Sequence, residues 1–145
     1  MNIVERAKEL AHRAHAGQVD KAGRPYIEHV ARVAKAVSDD PNAEAIAWLH
    51  DVLEDCPAFV EEFWGFPSSI TSPVDKLTRW NGMTTGGYYE RVKRSSIALR
   101  VKLADIADNS SEDRLALLDE KTAVRLRKKY AKAIRELTKD TDDGR

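Results

Sequence analysis

One cysteine, Cys56, is all that this 145-residue sequence contains, so no internal disulfide can staple it and a reducing compartment, the cytoplasm, is the expected setting. Charged residues cut every apolar cluster well short of the ~20 residues that span a bilayer, which excludes membrane insertion. The Met1 end lacks the basic-then-apolar pattern of a secretory leader. Neither sign of charge is in excess. The 24 Lys and Arg balance 24 Asp and Glu, so no global field draws the chain toward nucleic acid or an anionic membrane, and any polyanion site must be local. Period-two alternation of convincing length, internal repeats and low-complexity linkers are also missing. What these absences leave is one all-α domain, long enough to bury about two thirds of its unfolded surface.

The apolar residues carry the helical period. Ile3, Val4, Ala7, Leu10, Ala11 and Ala14 mark one face of a first helix that Gly17 stops. Gln18 to Pro25 is a loop, and a second helix starts near Tyr26 with Ile27, Val30, Ala31, Ala34 and Val37. A third, from Asp40-Pro41, carries His50 and Asp51 and should run on to Pro57. Phe59, Val60, Phe63 and Trp64 suggest a short helix before a turn at Gly65 to Ser69, and Val74 and Leu77 open another. Asn81 to Gly87, with three glycines and two threonines, is expected to be an irregular, mobile loop. Tyr88 to Ser95, Ile97 to Asp108 and a last helix through Val124, Leu126, Tyr130, Ile134 and Leu137 complete about six to eight helices, with 139–145 as a frayed tail.

Some polar residues fit poorly into a purely structural account. His50 and Asp51 are adjacent in Ala-Ile-Ala-Trp-Leu-His-Asp-Val-Leu, where each buried alone would carry a desolvation penalty. An imidazole nitrogen and a carboxylate oxygen are both ligands for a divalent first-row metal. His29, 21 residues upstream, and Asp105, on a later helix, can bring three helices to one ion. Two imidazoles with two carboxylates leave positions open for water, the mark of a catalytic rather than a structural metal. Glu54 and Asp55 follow one turn on, where they can position a metal-bound water or move its proton. His12 and His15 are assigned to structural or supporting roles. Lys76, Arg79, Arg91, Lys93, Arg94 and Arg100 flank the Gly-rich segment, either as a solvated face or as phosphate donors. Tyr88, Tyr89 and Tyr130 can pack in the core or stack on a base.

Three ordered runs, Gly17-Gln-Val-Asp-Lys-Ala-Gly-Arg-Pro-Tyr-Ile-Glu-His29, Leu49-His-Asp-Val-Leu-Glu-Asp55 and Val101-Lys-Leu-Ala-Asp105 through Asn109, resemble the hydrolase domain of the RelA/SpoT family. The stand-alone small alarmone hydrolases, the metazoan type included, are the most similar form. The resemblance covers residues 1–138 and implies an HD-type helical bundle that uses one manganese ion to remove 3′-pyrophosphate from guanosine tetra- or pentaphosphate in the stringent response. It implies His29, His50, Asp51 and Asp105 as metal ligands and Glu54 and Asp55 as the pair handling the attacking water. Lys21 and Asn109 would contact the nucleotide, with Arg24, Lys76, Arg79, Lys102 and Tyr130 completing the expected substrate set. The donor types by themselves equally admit iron, cobalt, nickel or zinc.

Two positions depart from the family pattern. Asp20 and Ile106 stand where relatives commonly carry basic residues, so Asp20→Arg with Ile106→Arg is expected to raise kcat/KM for guanosine tetraphosphate. The expected reading is a cytoplasmic metal-dependent phosphohydrolase of a small nucleotide, with neither nucleic acid nor membrane as partner and compatible with a homo-oligomer; no residues remain for a synthetase domain. The alternatives are another nucleotide, such as a (p)ppApp-like alarmone, a nucleoside monophosphate or the 2′-phosphate of NADPH, and a catalytically silent nucleotide-binding regulator.

Overall fold

Asn2 opens the first helix with a reciprocal capping box, its side chain accepting from the Glu5 amide while the Glu5 carboxylate accepts from the Asn2 amide. This helix, α1 (Ile3–Ala14), buries Ala7, Leu10, Ala11 and Ala14 and ends before Gly17, whose φ of 83° only glycine adopts freely. The computed structural model describes residues 1–139, so the tail expected over 139–145 lies, from 140 onward, outside the described residues. A loop closed by an isolated bridge between Val19 and Pro25 leads into α2 (Tyr26–Ala36), which begins at the expected residue.

Helix α3 (Pro41–Leu49) is the centre of the bundle. Asp40 caps it by accepting from the Asn42 and Ala43 amides, and Pro41 fills its first turn, where a missing amide costs nothing. Ala43, Ala45, Ile46, Ala47, Trp48 and Leu49 are all buried, the pattern of a helix covered on every side. Both α1 and α2 pack against it.

Where a continuous helix was expected as far as Pro57, the chain breaks at His50 and Asp51 and resumes as the one-turn α4 (Val52–Asp55). The Ala47 carbonyl would ordinarily accept from the Asp51 amide. Instead it accepts from the His50 amide at 3.4 Å and from the His50 ring Nδ1 at 2.6 Å. The side chain has displaced the backbone bond, and Asp51, at φ −105° and ψ 1°, leaves the helical region.

A 3-10 turn (Pro57–Phe59) and α5 (Val60–Trp64) follow, with Phe63 fully buried. Helix α6 (Ser68–Leu77) starts earlier than the expected turn at Gly65 to Ser69 allows and holds Pro73 inside it. Burial of Ile70, Val74 and Leu77 maintains the helix despite the amide that proline lacks. Helix α7 (Thr85–Lys93) likewise takes in Gly86 and Gly87 from the expected loop, because the Thr84 hydroxyl accepts from the Gly87 amide and caps the first turn. Helices α8 (Ser96–Asn109) and α10 (Glu120–Thr138) match expectation, while the four-residue α9 (Glu112–Leu115) was not foreseen. Seven of the ten α segments are nine residues or longer, and strands are absent among the described residues. The fold is all-α, and none of these helices is long and apolar enough to cross a membrane.

Helices α6 and α8 also pack on α3, so α2, α3 and α8 meet in mutual contact. This corrects the placement of Ile106. It faces the core at 2 % exposure and not a ligand. Ile106→Arg should therefore destabilise by about 4 kcal/mol or more, since a guanidinium would be buried without a partner. Chemical denaturation would measure it, and an unchanged midpoint would place the side chain in solvent.

Candidate metal centre

His29 stands on the first turn of α2, Asp105 in the last part of α8, and His50 and Asp51 at the break between α3 and α4. One ligand-type atom from each, two imidazole nitrogens and two carboxylate oxygens, lies within 4.8 Å of all the others, a group that can hold a metal ion. Asp105 Oδ1 sits 2.9 Å from His29 Nε2 and 3.3 Å from His50 Nε2, and Asp51 Oδ2 is 3.1 Å from His50 Nε2.

The outer sides of these groups are tied down. His29 Nδ1 donates to Asp108 Oδ2 at 2.6 Å and His50 Nδ1 to the Ala47 carbonyl at 2.6 Å. Each ring in its neutral form then carries its proton on Nδ1 and turns the Nε2 lone pair inward, as a ligating histidine must. The Tyr26 hydroxyl donates to Asp51 Oδ2, and Asn109 Nδ2 and Lys102 Nζ donate to the two oxygens of Asp105 at 3.3 and 3.2 Å. Both the donor set and its supports fit a divalent cation.

The electrostatics point the same way. Burial disfavours charge on both imidazoles, yet Asp105 and Asp108 outweigh it at His29, and Asp51 and Asp105 do so at His50, so His29 is raised and His50 well raised. Burial alone would raise Asp51 and Asp105; His50, with the Tyr26 hydroxyl, holds Asp51 down to about 2, and His29, His50 and Lys102 hold Asp105 well below the ordinary carboxylate range. Concentrated carboxylate charge in a buried place favours whatever positive charge occupies it. Glu54 and Asp55 are exposed and shift the other way, raised by partial burial and by Asp51. The Arg79 amide donates to Glu54, and Gln18 Nε2 donates to the Asp55 carbonyl at 3.3 Å.

A cavity of about 700 Å³ opens against Tyr26, Asp108 and Asn109, a size that takes a small organic ligand. Of the expected substrate residues, Lys21, Arg24, Asn109 and Tyr130 line it. Lys102 stands beside Asp105 and 5.5 Å over the Tyr88 ring. Lys76 bonds to Ser72 on its own helix, and the Arg79 guanidinium to Thr85 and the Met83 carbonyl, so neither is drawn to the cavity wall. Arg91, Lys93 and Arg100 pair with Asp75, Glu90 and Asp39. Tyr88 is buried with its hydroxyl on the Leu77 carbonyl, a packing role.

His15 packs on Tyr26, with ring centroids 5.2 Å apart, and His12 on Trp48 at 5.5 Å, in keeping with their supporting assignment. Asp20 lines the cavity as expected, but its part there needs correcting. Its Oδ1 accepts from the Ala22 and Arg24 amides at 2.9 and 3.0 Å and its Oδ2 from Arg114 at 2.9 Å. It shapes its loop, and its charge is already matched, so Asp20→Arg would undo the turn rather than add a free cation. Sequence reasoning missed Tyr26, Asp108, Arg32 and Arg114. Asp108 had a signal, lying three residues after Asp105 and hence on the same helix face; Arg114 had none.

No family model matches the chain. Among curated proteins, it is 34 % identical over 122 residues to a Synechocystis sp. protein named "Probable guanosine-3′,5′-bis(diphosphate) 3′-pyrophosphohydrolase", a match covering 74 % of this chain and 16 % of that protein. A Haemophilus influenzae protein named guanosine-3′,5′-bis(diphosphate) 3′-pyrophosphohydrolase is 33 % identical over 113 residues, 70 % of this chain and 17 % of that one. A Streptomyces coelicolor protein named GTP pyrophosphokinase is 31 % identical over 119 residues, 73 % and 14 % of the two chains. The chain thus spans less than a fifth of the length of these relatives. Over some seven tenths or more of its own length it is a relative of RelA/SpoT-type enzymes of (p)ppGpp metabolism, matched to one short segment of them.

Proposed function

We propose that the chain is a divalent-metal phosphohydrolase that removes the 3′-pyrophosphate from (p)ppGpp-like nucleotides. The observation that carries this reading is a buried cluster of two imidazoles and two carboxylates whose supporting residues Tyr26, Asp108 and Asn109 also line a cavity of about 700 Å³ that carries Lys21 and Arg24. The named relatives support the reaction class, and the resemblance of the motifs supports manganese.

In this reading His29, His50, Asp51 and Asp105 hold the ion, while Asp108, the Ala47 carbonyl and Tyr26 fix their orientation. The ion, when bound, supplies a water of lowered pKa and neutralises charge on the phosphoryl oxygens. Glu54 and Asp55, with affinities for protons raised by partial burial and by Asp51, would take a proton from the water that attacks phosphorus and return one to the ribose 3′ oxygen as its bond to phosphorus breaks. Lys21, Arg24, Asn109 and Tyr130 hold the nucleotide in the cavity, and Lys102 keeps Asp105 ionised against its burial. The cytoplasmic setting belongs to the same proposal, resting on Cys56, which is free and buried.

The test is to incubate the manganese-loaded protein with guanosine and adenosine 3′,5′-bis(diphosphates), nucleoside monophosphates and NADPH and to separate the products. Pyrophosphate with a 3′-hydroxyl nucleotide is the expected outcome. Orthophosphate released only from NADPH, or binding without turnover, would replace the reading. Asp108→Asn should keep the fold and weaken metal affinity by about 10- to 100-fold, as losses behind a ligating histidine do; a metal titration with unchanged affinity would separate Asp108 from the centre.

A further inference from the structure

Arg114, at the heart of the four-residue α9, lies outside every motif of the sequence, yet its guanidinium joins three segments. Nη2 donates to Asp20 Oδ2 at 2.9 Å in the loop before α2. Nη1 donates to Asp108 Oδ2 at 3.0 Å and Asn109 Oδ1 at 2.8 Å on α8. That same Asp108 oxygen accepts from His29 Nδ1, and Arg32 holds the other at 2.7 Å. These are not screened surface pairs, since the side chains are only 20 % exposed for Arg114, 8 % for Asp20 and 14 % for Asp108.

At the loop end, Asp20 is the organising residue. Beyond the two amides it accepts, its own amide donates to the Arg24 carbonyl at 2.8 Å and its carbonyl accepts from Gly23 at 2.9 Å. Whatever fixes Asp20 therefore fixes Lys21 and Arg24, two exposed cations of the cavity wall that Arg32 and Arg114 also line. Without a cation at 114, the Asp20 and Asp108 carboxylates would face each other across the gap and repel.

We propose that Arg114 is a positioning residue that latches the Asp20 loop to the carboxylate supporting His29, so that the cations of the cavity wall and the metal cluster keep one spacing. This rests on the functional reading above only where substrate kinetics are used. A planar fork can bridge both carboxylates at once, whereas a lysine is a point charge that reaches one of them.

The experiment is native-state hydrogen exchange on the manganese-loaded protein, with KM and kcat for guanosine 3′,5′-bis(diphosphate) measured alongside. In Arg114→Gln the amides of Ala22 and Arg24 should exchange about tenfold faster or more, the worth of a charge-assisted hydrogen bond, while α1 and α3 keep their protection. KM should rise by a similar factor with kcat nearly unchanged, and Arg114→Lys should fall between. A merely structural arginine would instead loosen all helices together and leave KM and kcat unsplit. Unchanged exchange at Ala22 and Arg24, or uniform acceleration, would overturn the proposal. If the variants at 114 do not fold, Asp20→Asn keeps the Oδ1 acceptor and removes the charge opposite Arg114. Faster exchange confined to the same two amides then supports the latch, and unchanged or uniformly faster exchange overturns it. Should the wild type hydrolyse none of the nucleotides, the functional reading falls and the exchange data still decide the latch.

Discussion

Asp51→Ala is expected to remove bound metal and hydrolysis together. Asp51 supplies one of two anionic donors in a cluster whose ligand atoms lie within 4.8 Å of one another, and the Tyr26 hydroxyl aims it by donating to Oδ2. An alanine leaves two imidazoles and one carboxylate, a site short of a ligand and of half its negative charge, so water at the ion would be less acidic and the ion itself weakly held. The loss of affinity should exceed the roughly 100-fold that a change behind a ligand costs, which leaves turnover below detection at ordinary metal concentrations. Elemental analysis after dialysis reads the metal and circular dichroism the fold. A folded mutant with full metal content and near-normal turnover would remove Asp51 from the centre.

Glu54→Gln should separate the two quantities that Asp51→Ala moves together. Glu54 lies in α4, three residues past Asp51, with its carboxylate fixed by the Arg79 amide and its proton affinity raised first by burial and then by Asp51 and Asp55. The amide keeps the shape and the bond from Arg79 but cannot take a proton, and losses of general acid-base catalysis are typically ~10²- to 10⁴-fold. Metal content should be that of the wild type. A mutant that sheds its metal would make Glu54 a ligand, and one with unaltered kcat would pass the proton work to Asp55.

Much of this architecture was legible in the sequence, because a helix records its buried face as a repeat of three and four residues. The faces of α1 and α2 and the start at Tyr26 were readable in that way, whereas on α10 Leu126 and Leu137 are buried but Val124 and Ile134 are exposed. The cluster residues were legible for a different reason. His50 and Asp51 are polar groups inside an apolar stretch, and a buried polar group demands a partner, while His29 and Asp105 were singled out by their order along the chain and by the resemblance of their motifs. The four residues that the sequence singled out are the four that the fold brings together.

What stayed hidden was decided by contacts between distant segments. The break at His50 arises because a side chain takes a carbonyl that helical propensity assigns to the backbone. Pro73 sits inside α6, and Gly86 and Gly87 inside α7, because packing and a threonine cap outweigh local preference. Ile106 and Asp20 illustrate the point most sharply. The resemblance to the family implies that both lie near the ligand, yet a helix turns 100° per residue, so Ile106, one step from Asp105, points into the core while Asp105 points into the cluster. Asp20 does line the cavity, but its charge answers to Arg114, 94 positions away. By itself the sequence determined the all-α class, through periodicity, and pointed to the residues of the cluster, through the His50-Asp51 pair in its apolar stretch and the resemblance of the motifs, since these are local properties of the chain. Only the tertiary structure decided which groups support that cluster and which cations face the cavity, because ion pairs such as Asp20–Arg114 and His29–Asp108 depend on helix packing that no local pattern encodes.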